Sequence, residues 1–258
     1  MNDYLVSLRL AWCVVVRNWE VYRKDFLANI SPTLADPALM MVALGMGLSP
    51  FIGNIRGLSY SQYLAPGMVA TTVLFTAFFE CSYGFYVRMT FQSVFKAMLT
   101  TPIGAREVVW GEFAWVSIRA ALMATGVGLV LAVVGLLPNP WSVFLFPLIG
   151  GMLAVPCGAI GLLAASYVRN INQFQTVYSF VIAPIYFISG VFFPLGDRPI
   201  LASVVQISPF FHGVSLLQMA AWNQFSPERI FYHLGVLIAF GVGLALWALV
   251  RIRKKLIT

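Results

Sequence analysis

The sequence predicts an all-α integral membrane protein in one domain over residues 1–258. It comprises six transmembrane helices, an N-terminal amphipathic interface helix, a short cytoplasmic helix and an external re-entrant helical hairpin. Three observations carry this. Hydrophobic residues make up 60% of the chain, charged residues only 10%, and mean hydropathy is +0.86, whereas a soluble domain carries about a quarter charged residues. The apolar residues gather into six runs long enough for a bilayer core of about 30 Å, which takes roughly 20 residues of helix. The runs are continuous, without the alternation of a membrane barrel.

Residues 1–27 come first. Leu5, Leu8, Trp12, Val15, Val16 and Trp19 recur at helical spacing, with Asp3, Ser7, Arg17, Glu20 and Lys24 mainly elsewhere on the wheel. This pattern predicts an amphipathic helix in the membrane interface. Arg9 and Arg17, inside so short an apolar stretch, argue against the alternative of a seventh span. The start also lacks the basic-then-apolar order and the cleavage site of a signal peptide.

The spans are expected at Ser31–Phe51, Tyr63–Val87, Val108–Leu137, Trp141–Tyr167, Phe174–Leu195 and Ile230–Val250. Lysine and arginine set their orientation. With the N-terminus inside, twelve of the sixteen basic residues are cytoplasmic, Arg56, Arg198 and Arg229 are external, and Arg119 lies within the third span. Both termini are therefore expected in the cytoplasm. The net charge of +7 is explained by topology without nucleic acid.

Two connections are long, as functional loops often are. The cytoplasmic one, residues 88–107, carries Phe91, Val94, Phe95, Met98 and Leu99 at helical spacing, followed by breakers at Thr101, Pro102 and Gly104. A short amphipathic helix ending in a turn is expected. The external connection, residues 196–229, is apolar but broken by Pro209 and Gly213. Its halves are too short to span, so a re-entrant hairpin is expected.

The chemistry that is absent is informative. None of the four lysines follows a glycine, so the chain lacks a P-loop. A GxSxG elbow and an HExxH pattern are missing, and Cys13, Cys81 and Cys157 stand singly. No cofactor or metal is expected in this chain, and no catalytic residue. His212 and His233 lie far apart in sequence near the external side and read as interfacial or loop histidines.

Ionisable residues inside a membrane are candidate functional groups. Glu80 and Arg119 fall at similar depths in the second and third spans and are expected to pair or to line a polar cavity. A structural ion pair or a snorkelling arginine is the plainer alternative. Glu112, nearer the cytoplasm, has Arg106 or Arg88 as candidate partners. Asp36, between Pro32 and Pro37, is placed to kink or cap a helix. Aromatic residues are dense in the second and fifth spans. Phe75, Phe79, Tyr83, Tyr178 and Tyr186 are candidates for a translocation path, against the alternative of lipid contact and helix packing. Gly126, Gly128, Gly150, Gly151, Gly158 and Gly161 permit close helix approach or a dimer seam.

The order of these parts resembles the permeases of type-2 ATP-binding-cassette exporters, over essentially the whole chain. Locally, YLAPGMVATTVLFTAFFECSYGFYVRM followed by FKAMLTTPIGAREVVWGE, and FISGVFFPLGDRP followed by SPFFHGV, look like the nodulation protein J branch. The resemblance implies a multi-pass protein of the bacterial inner membrane, working as a homodimer with two copies of a cytoplasmic ATPase that binds ATP and Mg. It implies an amphiphilic or lipid-linked glycan as cargo, with drugs or small lipids as the alternative. Residues 88–107 would then be the coupling helix, with Phe91, Val94, Phe95, Lys96, Met98, Leu99, Pro102 and Arg106 at the ATPase. A secondary transporter would need more spans and inverted repeats. A membrane-embedded transferase would need clustered polar catalytic groups, which the sequence does not offer.

Overall fold

A computed structural model describes residues 2–195 and 203–257. Helix α1 (Asn2–Lys24) precedes five helices that are, among the described residues, long and apolar enough to cross a membrane. These are α2 (Phe26–Ile52), α3 (Tyr60–Thr90), α5 (Ala105–Val133), α6 (Phe146–Tyr167) and α9 (Pro227–Ile257). The short α4 (Val94–Leu99) joins α3 to α5. The only strands among the described residues, β1 (Asn54–Ile55) and β2 (Leu58–Ser59), form an antiparallel hairpin between α2 and α3. There the chain reverses through Gly53 and Gly57, both at positive φ. A capping box starts α3: the Ser59 hydroxyl accepts from the Gln62 amide, and the Gln62 side chain accepts from the Ser59 amide.

α6 is the hub, packed against α3, α5, α9 and the short α8 (Pro209–Ala221). Glycine allows the closest approach. A Cβ on Gly161 of α6 would lie 2.8 Å from the Phe78 carbonyl of α3. Gly150 and Gly158 likewise face α5 and α3 within the chain, so these three serve internal packing and not a dimer seam. At one end, Lys255 of α9 donates to the carbonyls of Ala165 and Val168, satisfying acceptors at the C-terminus of α6.

The fifth expected span differs most. Its helix, α7, covers residues 173–187 only, 15 residues, or about 22 Å at 1.5 Å per residue. It is not among the helices of spanning length. The chain then turns at Ile188 and passes Gly190 at φ +81°. Irregular backbone at membrane depth survives only where protein satisfies it. Here the Gly190 carbonyl accepts from the Tyr63 hydroxyl (2.9 Å) and from Gln218 Nε2 (3.1 Å), while Ser189 and Val191 are fully buried. Of the external connection, residues 196–202 lie outside the described residues. The described arm, α8, is buried against α3, α6 and α9.

α1 presents two apolar faces. Val14, Val15 and Tyr22 are buried on the protein side, while Leu8, Trp12, Val16 and Trp19 are exposed; the Leu5 side chain lies outside the described set. Ser7 donates to Glu107 (2.6 Å), Gly111 admits Val14, Asn18 donates to Glu112 (3.1 Å), and Tyr22 meets Trp115. These rungs advance along both helices, so α1 follows α5 obliquely.

Candidate functional site

Three helices interrupt their α-helical hydrogen bonding with a π-turn: Met41–Met46 in α2, Glu80–Gly84 in α3 and Tyr178–Ile182 in α7. π-Turns are rare and concentrate at functional sites. All three contribute residues to one cavity of about 800 Å³: Ala43, then Glu80, Tyr83 and Gly84, then Tyr178. That volume lies within the range of about 300–1,000 Å³ seen for small-molecule sites.

The cavity walls are aromatic. Phe75, Phe79, Tyr83, Tyr178 and Tyr186, the aromatic residues singled out in the second and fifth spans, all line it. α7 meets α3 largely through these rings. Phe79 and Tyr178 stack at 6.0 Å, and Phe75 lies 5.3 Å from Tyr186. Polar groups are few: the exposed Asp36 of α2, and Thr71, Thr72 and Thr76 of α3. The Thr71 and Thr72 hydroxyls donate to carbonyls four residues earlier, while the buried Thr76 hydroxyl has no partner among the described residues. These threonines were not picked out in the sequence, although three hydroxyls in six residues of an apolar span were a signal.

One end of the cavity is closed by charge. Glu80 pairs with Arg119, as expected, but the network runs further. Glu80 also accepts from Arg88 Nη1 (2.6 Å) and Trp115 Nε1 (3.3 Å). Arg88 Nη2 donates to Glu112 (2.6 Å). Glu112 accepts from Asn18, whose side-chain oxygen accepts from Arg17 (2.9 Å). A continuous chain, Arg119–Glu80–Arg88–Glu112–Asn18–Arg17, thus ties α5, α3 and α1 together. Glu112 is fully buried and Glu80 nearly so. A buried carboxylate is tolerable only when its partners are held in place, and the planar fork of Arg88 spans both carboxylates as a lysine could not. The sequence offers Arg88 as a topology signal and as a candidate partner of Glu112, but not as the bridge between Glu112 and Glu80. Of the two candidates for Glu112, Arg88 is the partner.

The short α4 follows directly. Ser93 in the left-handed region turns the chain into it. Phe95 is buried and stacks on Phe85 at 4.6 Å. Its expected place at a partner surface is therefore corrected: it anchors α4 to α3. Val94, Met98 and Leu99 are half-buried, while Phe91, Lys96, Pro102 and Arg106 are exposed. At the opposite end, the two histidines meet. His212 Nδ1 lies 2.8 Å from His233 Nδ1, and His212 Nε2 donates to the Gln206 carbonyl, which locks α8 to α9.

Long apolar helices around a charged, aromatic chamber define a multi-pass membrane transport subunit. The chain belongs to the ABC-2 type transporter family, whose model matches residues 9–222, and is the permease component of an ABC transporter. It is similar to nodulation protein J of Rhizobium leguminosarum bv. viciae, 31% identical over 250 residues, which covers 96% of this chain and 95% of the relative. It is also similar to nodulation protein J of Neorhizobium galegae, 31% identical over 241 residues, 93% of this chain and 91% of the relative. A more distant relative is the inner membrane transport permease YadH of Escherichia coli strain K12, 23% identical over 220 residues, 84% of this chain and 79% of the relative.

Proposed function

We propose that the chain is the membrane subunit of an ATP-driven exporter that moves an amphiphilic or lipid-linked glycan outward across the inner membrane. In this reading it works as a homodimer with two copies of a cytoplasmic ATPase, which supplies the ATP and Mg site. Both termini and α4 face the cytoplasm, and α8 belongs to the external re-entrant region.

One observation carries the reading. A single helix, α3, holds the aromatic wall (Phe75, Phe79 and Tyr83) and the charged floor (Glu80 and Arg88), and leads directly into the exposed Phe91 and, in α4, Lys96. A push delivered at α4 passes through the Phe95–Phe85 stack into the lower half of α3. The π-turn at Glu80–Gly84 is where that half can pivot. The chamber would then change its access without any covalent change in the cargo. Aromatic walls with sparse hydroxyls suit alternating sugar and alkyl surfaces, as the likeness to the nodulation protein J branch implies.

The test is ATP hydrolysis by the permease–ATPase complex in proteoliposomes. Lipooligosaccharide should raise turnover, and Phe91→Asp or Lys96→Glu should remove the rise while leaving the permease inserted. Stimulation by drugs or short lipids alone would move the assignment to that cargo class. Normal coupling in both variants would overturn the role of α4.

A further inference from the structure

Beside the aromatic cavity lies a second, smaller chamber of about 270 Å³ between α1, α3 and α5. The two share Glu80, Tyr83, Gly84 and Arg119 as lining residues, so the Glu80–Arg119 pair and the Tyr83 ring form the partition between them. The small chamber is lined by three guanidinium groups, those of Arg17, Arg88 and Arg119, and one carboxylate, that of Glu80. Counting Glu112 behind Arg88, the hydrogen-bonded chain carries three positive charges and two negative, a net single positive charge, with Arg17 partly exposed at its end.

The donors are not all used. The buried Nε–H groups of Arg88 and Arg119 have no acceptor among the described residues. Arg17 donates to the neutral Asn18 amide and makes no ion pair among the described residues. Unsatisfied buried donors on cations are costly, and an anionic oxygen is the group that satisfies them best. Arginine forks match the geometry of phosphate and sulfate.

We propose that this chamber binds the phosphate or sulfate group of an anionic amphiphile whose apolar or sugar body lies in the adjoining aromatic cavity. This deepens the exporter reading above and rests on it for the identity of the chamber beyond the partition. An anion at Arg17 and Arg119 competes with Glu80 for Arg119, so loading the small chamber loosens the partition between the two. A neutral amphiphile has no such effect. The same chemistry is offered by the cargo and by a resident anionic phospholipid of the inner leaflet.

The probe is radiolabelled dodecyl phosphate, bound at equilibrium to the permease–ATPase complex in nanodiscs of phosphatidylcholine. Binding should saturate. Dodecyl sulfate should displace the label, while dodecyltrimethylammonium should not. Arg17→Gln should weaken binding about tenfold, the scale of one charged hydrogen bond, and Arg253→Gln on the exposed end of α9 should leave it unchanged. Dodecyltrimethylammonium displacing the label as well as dodecyl sulfate would overturn the proposal, as would wild-type affinity in a folded Arg17→Gln. If Arg17→Gln does not fold, the displacement series on the wild type decides alone. A rise in ATP turnover on dodecyl phosphate marks the site as one for cargo. Displacement by phosphatidylglycerol with turnover unchanged marks it as a resident lipid site; either supports an anion chamber. Loss of probe binding with glycan-stimulated turnover intact would sink this chamber and leave the exporter reading standing.

Discussion

Replacing Glu112 by glutamine isolates the charge network from everything else in the fold. The side chain is fully buried, with Arg88 at 2.6 Å and Asn18 at 3.1 Å. The substitution keeps shape and volume but removes one of the two carboxylates that hold three arginines, raising the buried net charge from one to two. Breaking one partner of a buried ion pair costs about 3–5 kcal/mol. At about 2–4 °C per kcal/mol for a chain of this size, the melting temperature should fall by roughly 6–20 °C. Arg88→Gln alone should cost a similar amount, because it leaves the fully buried Glu112 without a cationic partner and Glu80 with Arg119 as its one remaining arginine. The double variant restores the original net charge and should lose less than the sum of the two single losses, by a coupling of about 1–3 kcal/mol. The buried thiols of Cys81 and Cys157 provide the assay: in a Cys13→Ser background, a thiol-reactive dye reports unfolding as they become exposed. A Glu112→Gln protein melting within 2 °C of the parent, or a double variant losing the full sum, would refute the network as drawn.

Phe95→Ala removes a buried ring stacked on Phe85 and should cost about 3–5 kcal/mol in the same melts. Phe91→Ala, at an exposed ring, should change stability by no more than about 0.5 kcal/mol yet lower the stimulation of ATP hydrolysis. Gly161→Val places a Cβ 2.8 Å from the Phe78 carbonyl and should destabilise by about 1–3 kcal/mol. Gly243→Val, with nothing within 4 Å, serves as the paired control. Tyr178→Ala removes one face of the Phe79 stack and should weaken cargo affinity by up to about tenfold, since such pairs are worth about 0.5–1.5 kcal/mol. The cargo concentration giving half-maximal ATP turnover measures it.

Hydropathy made most of the fold legible. Apolar runs bounded by arginines, glycines and prolines place α2, α3, α5, α6 and α9 within a few residues of the helices found. It misjudged residues 174–195, because an apolar run reads the same whether it is helical or irregular and satisfied by neighbours. Tyr63 and Gln218, which hold Gly190, are 127 and 28 residues away in the chain. The aromatic cavity was legible because Phe75, Phe79 and Tyr83 recur at helical spacing. The π-turns were not, since nothing local in ECSYG distinguishes them from ordinary helix. The second bond of Arg88 was hidden by its position: a cation at the end of a span looks like a topology signal or a partner for Glu112, and only the fold shows its side chain turned back to Glu80, eight residues earlier. For α1, four residues of the apolar stripe visible in the sequence (Leu8, Trp12, Val16 and Trp19) are exposed, and Val15 is buried. The buried face needs Asn18, a polar residue that periodicity assigns to solvent but that Glu112 holds inside.

In the proposed function, the chamber between α2, α3 and α7 is the route of the cargo. A photoreactive amino acid placed at Tyr83, in the reconstituted permease–ATPase complex, tests that directly. Labelled lipooligosaccharide should crosslink at Tyr83 in the absence of ATP, and not at Phe180, which is 79% exposed on the outer surface of α7. Equal labelling at both positions, or labelling at Phe180 alone, would contradict it.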